Sequence, residues 1–147
     1  MLYKHILVPT DGSALSRKAI RTAVALARTL GARITALYVV PEGVPTLFSG
    51  DKLYGSGVLA PKYREAIRRA AEEALGFACS SAAAAGVRCA SARTLARAPW
   101  QAIVHTARAR DCDLIVMASH GRRGLAALGS QTMKAVAHTR IPVLVCR

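Results

Sequence analysis

Short apolar runs alternate with stretches of helical periodicity along the whole of this 147-residue chain, and that alternation restricts the fold more than any other feature. Tyr3 to Thr10 is apolar in its middle and polar at its ends, as an interior strand is. Asp11-Gly12-Ser13 follows as a turn and helix start. Ala19, Ile20, Ala23, Val24, Ala27 and Leu30 then recur at helical spacing, with Arg17, Lys18, Arg21 and Arg28 opposite and Gly31 as the stop. A second strand is predicted over Ile34 to Val40, ended by Pro41. After a long loop over 41–60, a helix opens at Pro61 and runs to a stop at Gly86. Val87 to Leu95 reads as a third strand of weak alternation. Pro99 opens a helix that turns Ile103, Val104 and Ala107 inward. Leu114 to Ala118, Ser130 to Thr139 and Val143 to Cys146 complete the series as strand, helix and strand. Repeated strand–helix units mean parallel strands joined by right-handed crossovers. The expectation is one doubly wound α/β domain over 1–147, with a five-stranded parallel sheet and about four helices.

Composition narrows the class. A chain of this size buries most of its apolar surface, and 52% hydrophobic residues predict a packed core rather than disorder. The apolar run near Met1 is too short for an export signal, and no segment approaches the roughly 18 apolar residues of a membrane span. A cytoplasmic protein is therefore expected. Cys79, Cys89, Cys112 and Cys146 form no C-x-x-C pair and read as reduced thiols, with Cys89 and Cys146 in strands. No histidine stands at metal-ligand spacing from a cysteine. The net charge of +13 is spread evenly: seven bases and three acids in 1–60, seven and three in 61–100, seven and two in 101–147. Without a tail or block it reads first as a solvated basic surface, a nucleic-acid face being the alternative.

In doubly wound sheets, ligands bind beyond the carboxyl ends of the strands, where the winding reverses. Two segments converge there, Pro9-Thr10-Asp11 and Met117 to Ser130. The second is a glycine-punctuated loop ending at a helix N-terminus, where unpaired N–H groups and the helix dipole attract anions. Gly121, Gly124 and Gly129 let backbone approach a ligand, and Arg122 and Arg123 add cations. This is the pattern of a phosphate site. Asp11 is either a cap or turn former or the acid that holds a ribose hydroxyl or Mg2+. Ser130 is read as the N-cap of the last helix, which does not exclude a phosphate role. His120, with no adjacent carboxylate, reads as a surface or loop-packing histidine. Gly55-Ser-Gly-Val-Leu-Ala60 matches a dinucleotide fingerprint but is read as accidental, since neither flank suits it. No G-x-x-x-x-G-K-[ST] loop, G-x-S-x-G elbow or nucleophile–base pair is present.

Taken in order, Ile-Leu-Val-Pro-Thr-Asp-Gly-Ser, Met-Ala-Ser-His-Gly-Arg-Arg-Gly-Leu, Leu-Gly-Ser and Ile-Pro-Val-Leu-Val resemble the universal stress protein family over essentially the whole chain. The resemblance implies the Rossmann-like fold shared with adenine nucleotide alpha hydrolases. ATP-binding members carry G-x2-G-x9-G-[ST] in the loop. By resemblance, the base and ribose would lie against Pro9, Thr10, Asp11 and Val39. The phosphates would meet the backbone from Met117 and Ala118 through Gly121, then Gly129, Ser130 and Gln131. This chain departs twice from the pattern: Ala118 replaces the first glycine, and seven residues, not nine, separate Gly121 from Gly129. A methyl at 118 is a small obstruction, whereas a shorter loop shifts the helix start or shrinks the triphosphate pocket. The resemblance further implies a homodimer joined through the last strand, Ile141 to Cys146, an apolar segment expected at a sheet edge. Three functions compete: a stress-response protein with ATP or AMP as regulatory ligand; a weak ATPase using Asp11 for Mg2+ and Arg122 or Arg123 for phosphate charge; and a nucleotide-free dimeric module whose basic surface meets partners or nucleic acid.

Overall fold

Five parallel strands and four helices alternate among the described residues. The computed structural model describes residues 2–41, 59–120 and 129–147. The strands are β1 (His5–Pro9), β2 (Arg33–Pro41), β3 (Cys89–Ala96), β4 (Leu114–Ala118) and β5 (Val143–Cys146). The helices are α1 (Ala14–Leu30), α2 (Leu59–Ala84), α3 (Pro99–Ala109) and α4 (Ser130–His138). The strand order is β3-β2-β1-β4-β5, so the chain winds one way from β1 to β3 and then back through β4 to β5.

The central strands are apolar on both faces because helices cover both. Ile6, Val8, Ile34, Ala36, Leu114 and Val116 turn toward α1 and α2, and pack with Ile20, Val24, Leu75 and Ala78. Leu7, Leu37, Ile115 and Met117 turn the other way and pack with Ile103, Val104 and Ala107 of α3 and Ala135 of α4. Residues one apart in a strand thus serve opposite layers. The edge strand β3 alternates between half-buried and exposed positions, which accounts for its weak signal in the sequence.

The winding reverses between β1 and β4. Their ladder comprises only Ile6↔Leu114 and Leu7↔Ile115. β1 continues against β2 to Pro9↔Leu37, and Thr10 N–H donates to the Leu37 carbonyl at 2.9 Å. β4 continues against β5 to Ala118↔Cys146, and Ser119 N–H donates to the Cys146 carbonyl at 2.7 Å. The two halves therefore part toward their carboxyl ends. At the opposite end they are held together by Asp113, whose carboxylate accepts the Lys4 N–H at 2.9 Å and the His5 N–H at 3.0 Å.

Several boundaries differ from the sequence reading. α2 opens at Leu59, inside the glycine-rich match. Residues 55–58 of that match lie outside the described residues, as does most of the expected loop over 41–60. β3 begins at Cys89 because Val87 N–H still closes the helix end onto the Ala82 carbonyl at 2.9 Å. The N-cap of α4 is Gly129, not Ser130; Ser130 is the first helical residue and is exposed. β5 does occupy the sheet edge, and no helix among the described residues is long and apolar enough to cross a membrane.

His5 opens β1 inside the fold, only 6% exposed, with Nε2 2.7 Å from Thr35 Oγ1. Burial, then Arg33, holds its pKa below the ordinary 6.5, while the Arg110 carbonyl and Asp113 oppose the shift. The folded chain therefore binds this proton less readily than the unfolded one. The contribution is present above about pH 6.5 and is lost as pH falls through the folded pKa. Urea midpoints measured between about pH 7.5 and 5 should fall with acidification, and fall less steeply in His5→Asn; equal slopes would contradict this.

Candidate functional site

The parting of β1 and β4 opens a cleft of about 170 Å3 at the carboxyl ends of the central strands. Pro9, Leu37, Val39, Pro99, Ile103 and Met117 give it apolar walls. Thr10, Asp11, Ser16, His120, Gln131 and Thr132 add polar groups. An apolar slot with a few placed polar groups is the ordinary form of a small-molecule site.

Local hydrogen bonds fix the β1 side. Asp11 Oδ1 accepts the Ser13 N–H at 2.9 Å, forming an Asx turn. Gly12 in that turn has φ 82°, a left-handed conformation that a side chain would oppose. Ser13, not Asp11, caps α1: its hydroxyl accepts the Ser16 N–H at 3.2 Å. Buried Thr10 and Ser16 join their hydroxyls at 3.1 Å, and the Gly12 N–H donates to Thr10 Oγ1 at 3.2 Å. The whole Thr10–Ser16 corner is thus tied to itself, and Asp11 is held at the cleft by the same bonds that make the turn.

The β4 side is closed by a crossing of backbone. Gly129 N–H donates to the Ser119 carbonyl at 2.6 Å, bringing the start of α4 against the end of β4. Thr132 Oγ1 donates to the Ala118 carbonyl at 2.9 Å and secures the same joint from inside the helix. The first backbone bond of α4 runs from Met133 N–H to the Gly129 carbonyl, so the N–H groups of Ser130, Gln131 and Thr132 stand in the turn that precedes it. Gln131 also reaches α3: its Oε1 accepts the Trp100 N–H at 3.1 Å, at a helix start where Ala98 has no side-chain cap to offer.

Of the residues singled out in the sequence, Pro9, Thr10, Asp11, Val39, Met117, Ala118 and Gln131 line the cleft. Gly129 and Ser130 adjoin it without lining it, and the Gly129 amide is engaged in the joint to Ser119. Gly121, Arg122, Arg123 and Gly124 lie outside the described residues. His120, read as a surface or loop-packing histidine, follows β4 directly and belongs to the lining. Ser16, Leu37, Pro99, Ile103 and Thr132 were not singled out. Leu37 was discoverable, lying two residues before Val39 and so on the same strand face. Pro99 and Ile103 were not, because only the packing of α3 brings them there. Among the described residues no group of three His, Cys, Asp or Glu side chains could hold a metal, and Asp11 is the one acid in the lining.

Gly129 is required by close approach. A Cβ there would stand 3.3 Å from both the His120 Cα and the Ser119 carbonyl oxygen, which are backbone atoms with little freedom to yield. Its φ of −65° suits any residue, so the contact alone is tested by substitution. Gly129→Ala should cost about 1–2 kcal/mol in urea unfolding; unchanged or increased stability would show the joint to be loose.

Comparison with known proteins gives a consistent result. The model of the universal stress protein family matches residues 2–147. A Thermus aquaticus protein named as a universal stress protein is 35% identical over 151 residues, with 99% of this chain and 100% of that one covered. The crystal structure of a universal stress protein in complex with cAMP is similar at TM-score 0.67 and 26% identity, over 99% of this chain and 97% of that one. The structure of an Archaeoglobus fulgidus universal stress protein in complex with dAMP has TM-score 0.72 over 100% of both chains; at 21% identity it bears on the fold alone.

Proposed function

We propose, from the premise that the chain belongs to the universal stress protein family, that it binds an adenine nucleotide, ATP or AMP, as a regulatory ligand between β1 and β4. The observation that carries this reading is the apolar-walled cleft at the winding reversal, bordered by the first turn of α4. The relative solved with cAMP supports an adenine nucleotide as the class of ligand.

In this reading the base lies against Pro9, Val39 and Met117, whose apolar surfaces suit a flat heterocycle. The ribose lies beside Thr10 and Asp11. The phosphates meet Ala118, the segment carrying Gly121, Arg122, Arg123 and Gly124, and the amides of Ser130 and Gln131, where the helix dipole favours negative charge. Gly129 serves by leaving room rather than by donating, because its N–H is engaged with Ser119. Mg2+, if carried in with ATP, would be held mainly by phosphate oxygens with Asp11 as the protein carboxylate, since one acid alone makes no cation cage. The output is conformational. Titration calorimetry should give one saturable site per chain for ATP or AMP, and Asp11→Ala should weaken it about tenfold, the effect of losing one charge-assisted hydrogen bond. No heat at millimolar nucleotide would reject the proposal.

The proposed assembly is a homodimer through Ile141 to Cys146. Among the described residues β5 ends the sheet at one edge, and Leu144 is 39% exposed. Pairing with the same strand of a second copy would satisfy that edge. Light scattering should return twice the 15.5 kDa chain mass; a monomer at working concentration would contradict it.

A further inference from the structure

Cys79 and Cys89 form no C-x-x-C pair, but the fold brings their sulfurs to 3.2 Å. Cys79 lies in the last third of α2 and Cys89 opens β3. Between them the chain reverses through hydrogen bonds from the Ala85 and Val87 N–H groups to the Ala82 carbonyl, at 3.0 and 2.9 Å. Each sulfur is therefore positioned by a regular element and by the tight turn joining them. Cys89 is also fixed through strand pairing, in register with Ile34 of β2. Both cysteines are half-buried, within reach of a small solute, whereas Cys112 and Cys146 are only 4% and 9% exposed.

We propose that Cys79 and Cys89 form an oxidative modification site, at which a hydroperoxide converts the two thiols to an intramolecular disulfide. The site lies away from the cleft: Cys89 pairs near the start of β2, whereas Leu37 and Val39 of that strand line the nucleotide pocket. Burial, and Cys79 beside it, push the Cys89 thiol up to about 12. Either sulfur can react first, Cys79 for example. Its thiolate attacks one peroxide oxygen, the O–O bond breaks, and Cys79 becomes a sulfenic acid with release of hydroxide or alkoxide. The Cys89 sulfur then attacks the Cys79 sulfur, the S–O bond breaks, and the oxygen leaves as water with the Cys89 proton. Two thiols and one hydroperoxide yield one disulfide, one water and one alcohol, or two waters from hydrogen peroxide. The sulfurs must approach by only about 1 Å to reach bonding distance. A metal is a poorer occupant, because no group of three ligating side chains exists among the described residues.

The test uses the reduced full-length protein and hydrogen peroxide. Titrating thiols under denaturing conditions should show two of the four lost. The intact mass should fall by two hydrogens, a single peptide pair should join Cys79 to Cys89, and dithiothreitol should reverse all three. The melting temperature of the oxidised form should rise by several degrees. Cys79→Ser and Cys89→Ser should each abolish the cross-link, which closes only between these two neighbouring sulfurs. The peptide map of the unaltered chain decides the matter even if a variant folds poorly. Oxygen uptake at separate cysteines, or links only between molecules, would overturn the proposal.

Discussion

The short ladder between β1 and β4 is the constraint on which the rest of the structure depends. Two residue pairs hold the halves of the sheet together, with Asp113 fastening their amino ends, and beyond Leu7 and Ile115 each strand follows its outer neighbour. Parallel strands that continued in register would bring Pro9 and Met117 together and leave no space for a ligand. Because they part, the side chains at their ends face each other across a gap lined by both halves of the chain. The reversal of winding sets the gap between strands whose faces are covered by α1 and α2 on one side and by α3 and α4 on the other.

Much of the fold could be read in the chain because buried parallel strands and amphipathic helices leave strong local patterns. β4 and β5 have the boundaries that their apolar runs suggest, and α1 is bracketed by the residues expected, Ser13 and Gly31. Edge strand β3 was displaced by two residues because its half-buried alternation says little and the preceding turn consumes Val87. The site was legible where it lies at strand ends, as with Pro9, Asp11 and Met117. It was not legible where helices deliver residues from another layer, as with Pro99 and Ile103. Gly129 shows a third case: it was expected to let backbone approach a ligand, and in the fold it stands against Ser119 and His120, a contact that only folding creates. The nearness of Cys79 and Cys89 is of the same kind, arising from a chain reversal rather than a motif.

The cleft divides its work between rigid and receptive parts. Thr10, Gly12, Ser13 and Ser16 bond among themselves, and Ala118, Ser119, Gly129 and Thr132 do likewise across the gap. Both rims are therefore set before a ligand arrives, which lowers the ordering cost of binding. Gln131 spans from α4 to the start of α3 and couples the first turn of α4 to the helix that supplies part of the apolar wall. A nucleotide that bridges these rims would fasten the two halves of the sheet at the end where strand pairing does not. Such a ligand can regulate without chemistry, by favouring one relation of the halves over another.

Two-dimensional amide NMR spectra recorded while ATP or AMP is added examine that claim most directly. The account predicts saturable shifts concentrated at Thr10, Asp11, Val39, Ser130 and Gln131, on both rims at once. Shifts spread over the arginine-rich surface, or confined to one rim, would contradict it.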